Sequence, residues 1–172
     1  MNSTQSPMPR WIQEGVHRFE IRIYVEDTDI GGIVYHANYL RFAERGRSEA
    51  LRELGVAHGD MIRMHGRMFV VRRAKIDYER PAYLDDQLII ETRTQAVTAA
   101  SVTLEQTIRT IDGAAVARID LLLACVISGD RRVARLPTPV RSALTAMRDA
   151  ARAQTREMGL ISTGGAAASK GI

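Results

Sequence analysis

The stretch YVEDTDIGGIVYHANYLRFAERGRSEALRELG, residues 24–55, closes a strand pattern, turns on paired glycines and opens a long helical pattern. On its N-terminal side His17 to Val25 alternates, with Phe19, Ile21, Ile23 and Val25 on one face and Arg18, Glu20, Arg22 and Tyr24 on the other, which predicts a half-buried strand. On its C-terminal side Leu40, Ala43, Ala50, Leu51 and Leu54 fall at helical spacing, so that His36 to Leu54 reads as one helix stopped by Gly55. Gly46 shares the stripe of Ala43 and Ala50. An interior glycine costs a helix about 1 kcal/mol relative to alanine, and the gain that offsets this is close approach to another element. The helix is therefore expected to lie tightly on a sheet.

Beyond Gly55 the chain is dominated by strand patterns: Arg67 to Arg80 before Pro81, Gln87 to Val97, Ser101 to Asp112 and Ala114 to Ser128. Val102, Leu104 and Ile108 face one way in the third, and Ile119, Leu121, Leu123, Cys125 and Ile127 do so in the fourth. Thr98-Ala99-Ala100 and Asp112-Gly113 are short enough to make antiparallel neighbours of the last three. Pro139 to Arg152 reads as an amphipathic helix with its proline in the first turn. The order β, long α, four β, terminal α predicts an α+β two-layer domain over residues 17–152, with tails at 1–16 and 153–172.

Composition bounds the function. A chain of 172 residues that is 45% apolar buries one substantial core. The apolar run Leu121 to Ile127 is far short of the ~20 residues a spanning helix needs, and the first residues lack a signal peptide's apolar core. With a single cysteine inside an apolar run, the reading is a cytoplasmic protein with a buried structural thiol. The net charge of +4 is uneven: after Gly129 eight basic residues stand against three acids. Such a surplus suits a phosphorylated ligand, an anionic lipid surface or simple solvation, and leaves peripheral membrane association open. Three Phe and one Trp, with no zinc or RNA-binding motif, give no support to nucleic-acid binding. His17, His36, His58 and His65 show no paired-ligand spacing, so no metal is expected.

Chemistry concentrates between Asp27 and Leu40. Gly31 and Gly32 permit a tight turn and close approach to a flat or polar group. A helix opening near Tyr35 or His36 presents free N–H groups there, a place for a developing oxyanion. Asp29 just upstream suits a general base toward water or a nucleophile. Asp27, Thr28 and Asp29 equally suit the end of a strand, because short polar side chains bond their own backbone.

Tyr24-Val25-Glu26-Asp27-Thr28-Asp29, then Gly31 through Leu40, Phe42, Glu44 and Arg47, resemble the motif of the 4-hydroxybenzoyl-CoA thioesterase branch of hotdog-fold proteins. Phe69 to Arg73, Tyr78 to Ala82 and Leu84-Asp85-Asp86 extend the likeness toward the Tol-Pal-associated acyl-CoA thioesterases, over about residues 17–150. The resemblance implies a long helix wrapped by a curved antiparallel sheet of about five strands. It also implies a homodimer or homotetramer with active sites at the interface, and a substrate that is a thioester of coenzyme A or of acyl carrier protein, with no cofactor beyond the coenzyme A of the substrate. Asp29 takes the place of the catalytic aspartate. His36 matches the histidine of the Tol-Pal-associated branch, where the hydroxybenzoyl enzymes carry an aromatic residue, and this favours aliphatic or short acyl groups. Gly32, Tyr35 and Tyr39 are the expected neighbours of the acyl group. Arg131, Arg132 and Arg135, with Arg72, Arg73 and Lys75 as rivals, are candidates for the coenzyme's phosphates. Glu44 with Arg47 reads as a structural ion pair. A non-catalytic acyl- or protein-binding module and a hydroxyacyl-thioester dehydratase share the fold.

Overall fold

The computed structural model describes residues 14–164. Five strands, β1 (Val16–Arg22), β2 (Arg67–Tyr78), β3 (Gln87–Val97), β4 (Ser101–Thr110) and β5 (Ala115–Ile127), form one curved sheet in the order β1-β3-β4-β5-β2, every neighbour antiparallel. The helices are α1 (Asn38–Glu53), α2 (His58–His65) and α3 (Thr138–Gly164). This is the α+β hotdog arrangement that the resemblance implied.

α1 lies on the inner face of the sheet, and Gly46 is the reason it can. A β-carbon built at Gly46 would stand 2.6 Å from Ile90 Cγ2 on β3, inside any real contact distance. Gln106 of β4, fully buried, ties helix to sheet through its side-chain amide, which donates to the Ala43 carbonyl at 2.8 Å and to Thr92 Oγ1 at 2.9 Å. Around this seam Phe42, Ala43, Leu51, Leu88, Ile90, Ile108, Ile119 and Leu123 make the core. Thr94, which by strand alternation shares the face of Ile90 and Thr92, donates its hydroxyl to Met147 Sδ of α3 at 3.5 Å. α3 thus covers the part of that face that α1 leaves open, with Val140 and Leu144 in the same core.

Several boundaries differ from expectation. β1 stops at Arg22, and Val25, placed on its buried face by the alternation, is 72% exposed in a single turn of 3-10 helix, Val25–Asp27. The cause is local: Asp27 Oδ2 accepts the Tyr24 N–H at 2.9 Å and folds the chain back. α1 opens at Asn38 rather than at Tyr35 or His36. α2 has no counterpart among the expected elements; it is anchored by buried Met61 and ended by Gly66 in the left-handed region at φ 59°. α3 runs past Arg152 to Gly164, so residues 153–164 continue the helix instead of beginning a tail. The remaining tail assignments, 1–13 and 165–172, lie outside the described residues. Cys125 is buried as expected, and burial pushes its thiol upward. Among the described residues no helix is long and apolar enough to cross a membrane.

Candidate active site

The loop between β1 and α1 is built by its own side chains. Ile23 is held between Asp85 and Asp86 by two backbone bonds of 2.9 and 3.0 Å. Asp27 is buried and structural: besides capping Tyr24, its carbonyl accepts the Tyr35 N–H and the Asn38 side-chain amide, each at 2.9 Å. Asp29 stands at a tight reversal. Its N–H donates to the Ile33 carbonyl at 2.9 Å, its carbonyl accepts from Gly32 at 3.0 Å, and its Oδ1 accepts the Gly31 N–H at 2.8 Å. Gly32, at φ +73°, supplies the left-handed residue that this turn requires. The Asp29 side chain is exposed, and Oδ2 receives no hydrogen bond from the described residues.

Next to this turn, four aromatic rings gather at the head of α1. The His36 ring lies 4.5 Å from Tyr35 and 6.5 Å from Tyr78, and Tyr78 lies 5.6 Å from Tyr39. The Tyr78 hydroxyl donates to the His36 carbonyl at 3.0 Å, which fixes the peptide that leads into the helix. Tyr39 is buried beneath them, its hydroxyl accepting the Ala82 N–H at 3.3 Å, and burial raises its phenol above the usual range. A cleft of about 400 Å³ opens here, lined by His36, Tyr39 and Tyr78 with Ile33, Arg80 and Pro81 among its walls. The N–H groups of His36 and Ala37 have no acceptor among the described residues, since Tyr35 and Asn38 are the amides that the loop itself satisfies.

The expected residues divide in two. His36 and Tyr39 line the cleft and the Tyr35 ring lies tilted against that of His36; Asp29, Gly32 and Tyr35 are not among its walls. The arginines are elsewhere. Arg72 lies exposed at the irregularity of β2, where the pairing with β5 shifts between Val71 and Arg73. Arg131, at φ 63°, reaches Met68 Sδ at 2.7 Å, Arg132 is bound to Asp130 at 2.6 Å, and Arg135 faces a separate surface cleft with Arg141. Met68 and Tyr78 stand near opposite ends of β2, about 33 Å apart at the usual strand rise. Within one chain these arginines and the cleft are therefore not brought together. Tyr78, Arg80 and Pro81 were not among the expected site residues, although they lie inside the quoted Tyr78 to Ala82 motif; their nearness to His36 is a tertiary fact that spacing does not carry.

Glu44 is fully engaged. Arg47, 5% exposed, forms an ion pair with it, Ser48 Oγ donates to it at 3.2 Å, and His58 Nε2 lies 3.9 Å away. Burial lowers the Arg47 guanidinium to about 10. Burial also lowers His58, with Arg47 and Arg52 adding to the effect.

Comparison with known proteins joins this geometry to a family. Residues 23–144 match the model of the thioesterase-like superfamily. The chain is similar to the acyl-CoA thioesterase YbgC of Haemophilus influenzae, 38% identical over 125 residues that make up 73% of this chain and 91% of that protein. It is also similar to the 1,4-dihydroxy-2-naphthoyl-CoA hydrolase of Thermosynechococcus vestitus, 27% identical over 71% of this chain and 84% of that one. Among solved structures, a protein of Bartonella henselae described as a probable thioesterase superposes with a TM-score of 0.66 at 37% identity, covering 71% of this chain and 99% of the other.

Proposed function

The chain belongs to the thioesterase-like superfamily, and on that premise we propose that it hydrolyses an acyl-CoA thioester to the free acid and coenzyme A. The observation that carries the reading is the aromatic cleft at the head of α1, walled by His36, where the N–H groups of His36 and Ala37 have no acceptor among the described residues; the Asp29 carboxylate, with one free oxygen, stands in the neighbouring turn. The thioester carbonyl enters beside these amides, which stabilise the charge that develops on its oxygen. Asp29 Oδ2 takes a proton from water as the water oxygen bonds the carbonyl carbon; the alternative is attack by the carboxylate itself, followed by hydrolysis of the anhydride. The C–S bond then breaks and the thiolate leaves, to be protonated. His36 donates to and positions the acyl group. The histidine at position 36 supports an aliphatic or short acyl group as the substrate's acid, whereas the naphthoyl relative is named for an aromatic one.

The active unit is a homodimer formed through β2. It is an edge strand of 12 residues with a row of unpaired backbone groups. An antiparallel copy sets the Met68 end of one chain beside the Tyr78 end of the other. The Arg131 to Arg135 corner of the partner subunit is thereby carried toward the cleft, where its cations meet the coenzyme's phosphates. Acyl carrier protein is the alternative thioester donor, and the working place is the cytoplasm.

The bond from Gly31 to Asp29 Oδ1 favours one other reading, a binding module in which this aspartate only shapes a turn. Release of free thiol from an acyl-CoA series, with Asp29→Asn alongside, separates the two. Turnover lost in a folded variant supports the enzyme. No turnover with any chain length, or a fully active Asp29→Asn, overturns it.

A further inference from the structure

A second basic site stands away from the cleft, where α3 crosses β3. Arg148, Arg152 and Arg156 recur at four-residue intervals along one side of α3, and Arg93 of β3 joins them; with Gln95 and Thr155 they bound a groove of about 310 Å³. Like charges at this helical spacing repel by a few tenths of a kcal/mol per pair, a cost that an anion in the groove would reverse. The acids nearby are already engaged, Glu14 among them by Arg18 at 2.8 Å. Glu91 lies 3.7 Å from Arg93 but is shared with Arg18 and Arg109. Asp149 takes Arg148 at 2.8 Å, and Glu105 is occupied by the Gln95 side chain at 2.9 Å. Arg152 donates to the Gln95 carbonyl at 3.3 Å, and Arg156, with Glu157 next in sequence, forms no ion pair among the described residues. The Arg148 side chain is only 22% exposed, so its charge is screened less than that of a free surface arginine.

We propose that this groove binds a phosphate-bearing anion, a phosphomonoester or diphosphate carried by a soluble ligand or by a lipid headgroup. Guanidinium forks match the paired oxygens of phosphate, and several converging forks distinguish it from a lone carboxylate. The volume sits at the lower end of ligand sites and suits one or two phosphoryl groups rather than a dinucleotide. The groove is not the coenzyme leg of the cleft. β4 and β5 lie between β3 and β2, about 14 Å of lateral spacing, and the groove's β3 residues stand three to five positions along the strand from Ile90, the residue in line with Tyr78 in the register. The proposal stands whether or not the cleft hydrolyses thioesters.

The test is calorimetric titration of the full chain with inorganic pyrophosphate, at low and at high salt, for the wild type and for Arg152→Gln combined with Arg156→Gln. These two side chains are exposed on α3, and their replacement leaves the core intact. Saturable, salt-sensitive binding of one pyrophosphate per chain is expected, weakened by about tenfold or more in the variant, with the KM for acyl-CoA unchanged. Co-sedimentation with vesicles containing phosphatidylglycerol, but not with phosphatidylcholine alone, assigns the phosphate to a lipid when the variant abolishes it; pyrophosphate binding without sedimentation assigns it to a soluble ligand. Absence of both kinds of binding overturns the proposal. So does an equal affinity in wild type and variant.

Discussion

The middle and the head of α1 are held by opposite means. In the middle, Gly46 lies against Ile90 and the Gln106 amide bonds helix to sheet, leaving no space for a side chain at the point of closest approach. At the head, rings stand apart around a cleft, two N–H groups lack acceptors and a carboxylate faces solvent with one oxygen unused. Dense packing fixes where the helix lies, and the incompletely satisfied end is where a ligand can gain from binding. One element thus serves stability and chemistry without placing both demands on the same residues.

The sharpest way to separate the two ends is Asp29→Asn. The amide oxygen still accepts from Gly31, so the turn and the melting temperature are retained, while thiol release falls by about a thousandfold or more. A comparable loss of stability would show that the head also carries the fold. Gly46→Ala tests the converse. The new methyl meets Ile90 and costs about 1–3 kcal/mol, only partly offset by the better helix propensity of alanine. Thermal or denaturant unfolding should show the loss while kcat at permissive temperature holds. The same substitution in an Ile90→Ala background should cost less, because the clashing partner is gone. Tyr78→Phe removes only the bond to the His36 carbonyl; turnover should drop by about tenfold with unfolding little changed, and an unaffected rate would remove that tyrosine from the site.

The smallest effect is expected at the far end of α1, where buried His17 lies 3.5 Å from Glu53. Burial lowers its folded pKa below the ordinary 6.5 against the opposing pull of Glu53 and Glu49. The unfolded chain therefore binds that proton more readily. The stability this burial contributes is complete above the ordinary value and declines as pH falls through it toward the lowered folded value. Denaturant midpoints at pH 7 and 5 should differ less in His17→Gln than in the wild type. His58, lowered by burial as well, moves in the same direction and accounts for part of what remains.

Periodicity carried the strands and the long helix because each buries one face, and the glycine stripe forecast the seam at Ile90. It failed where one local bond overrides the pattern. Alternation continues through Val25, yet the Asp27 side chain turns the chain before that residue can pair. α2 escaped notice because His58-Gly59-Asp60 offers weak propensity and Met61 alone anchors it. At the site, Asp29 and His36 were visible as a local motif, whereas Tyr78 is separated from His36 by 42 positions. The arginine groove needed the placement of α3 on β3 before Arg93 could join a stripe on the helix.

The pairing of β2 with β5 sets an order of events during synthesis. Tyr78 pairs with Ala117 and Arg67 with Ile127, so β2 has no strand to join until β5 has been made, while β3 and β4 close on each other at once across a three-residue link. A nascent chain halted before β5 would hold a sheet with both of its hairpin strands in place and a catalytic end still unassembled, which keeps the reactive end silent until the ribosome has finished with the domain.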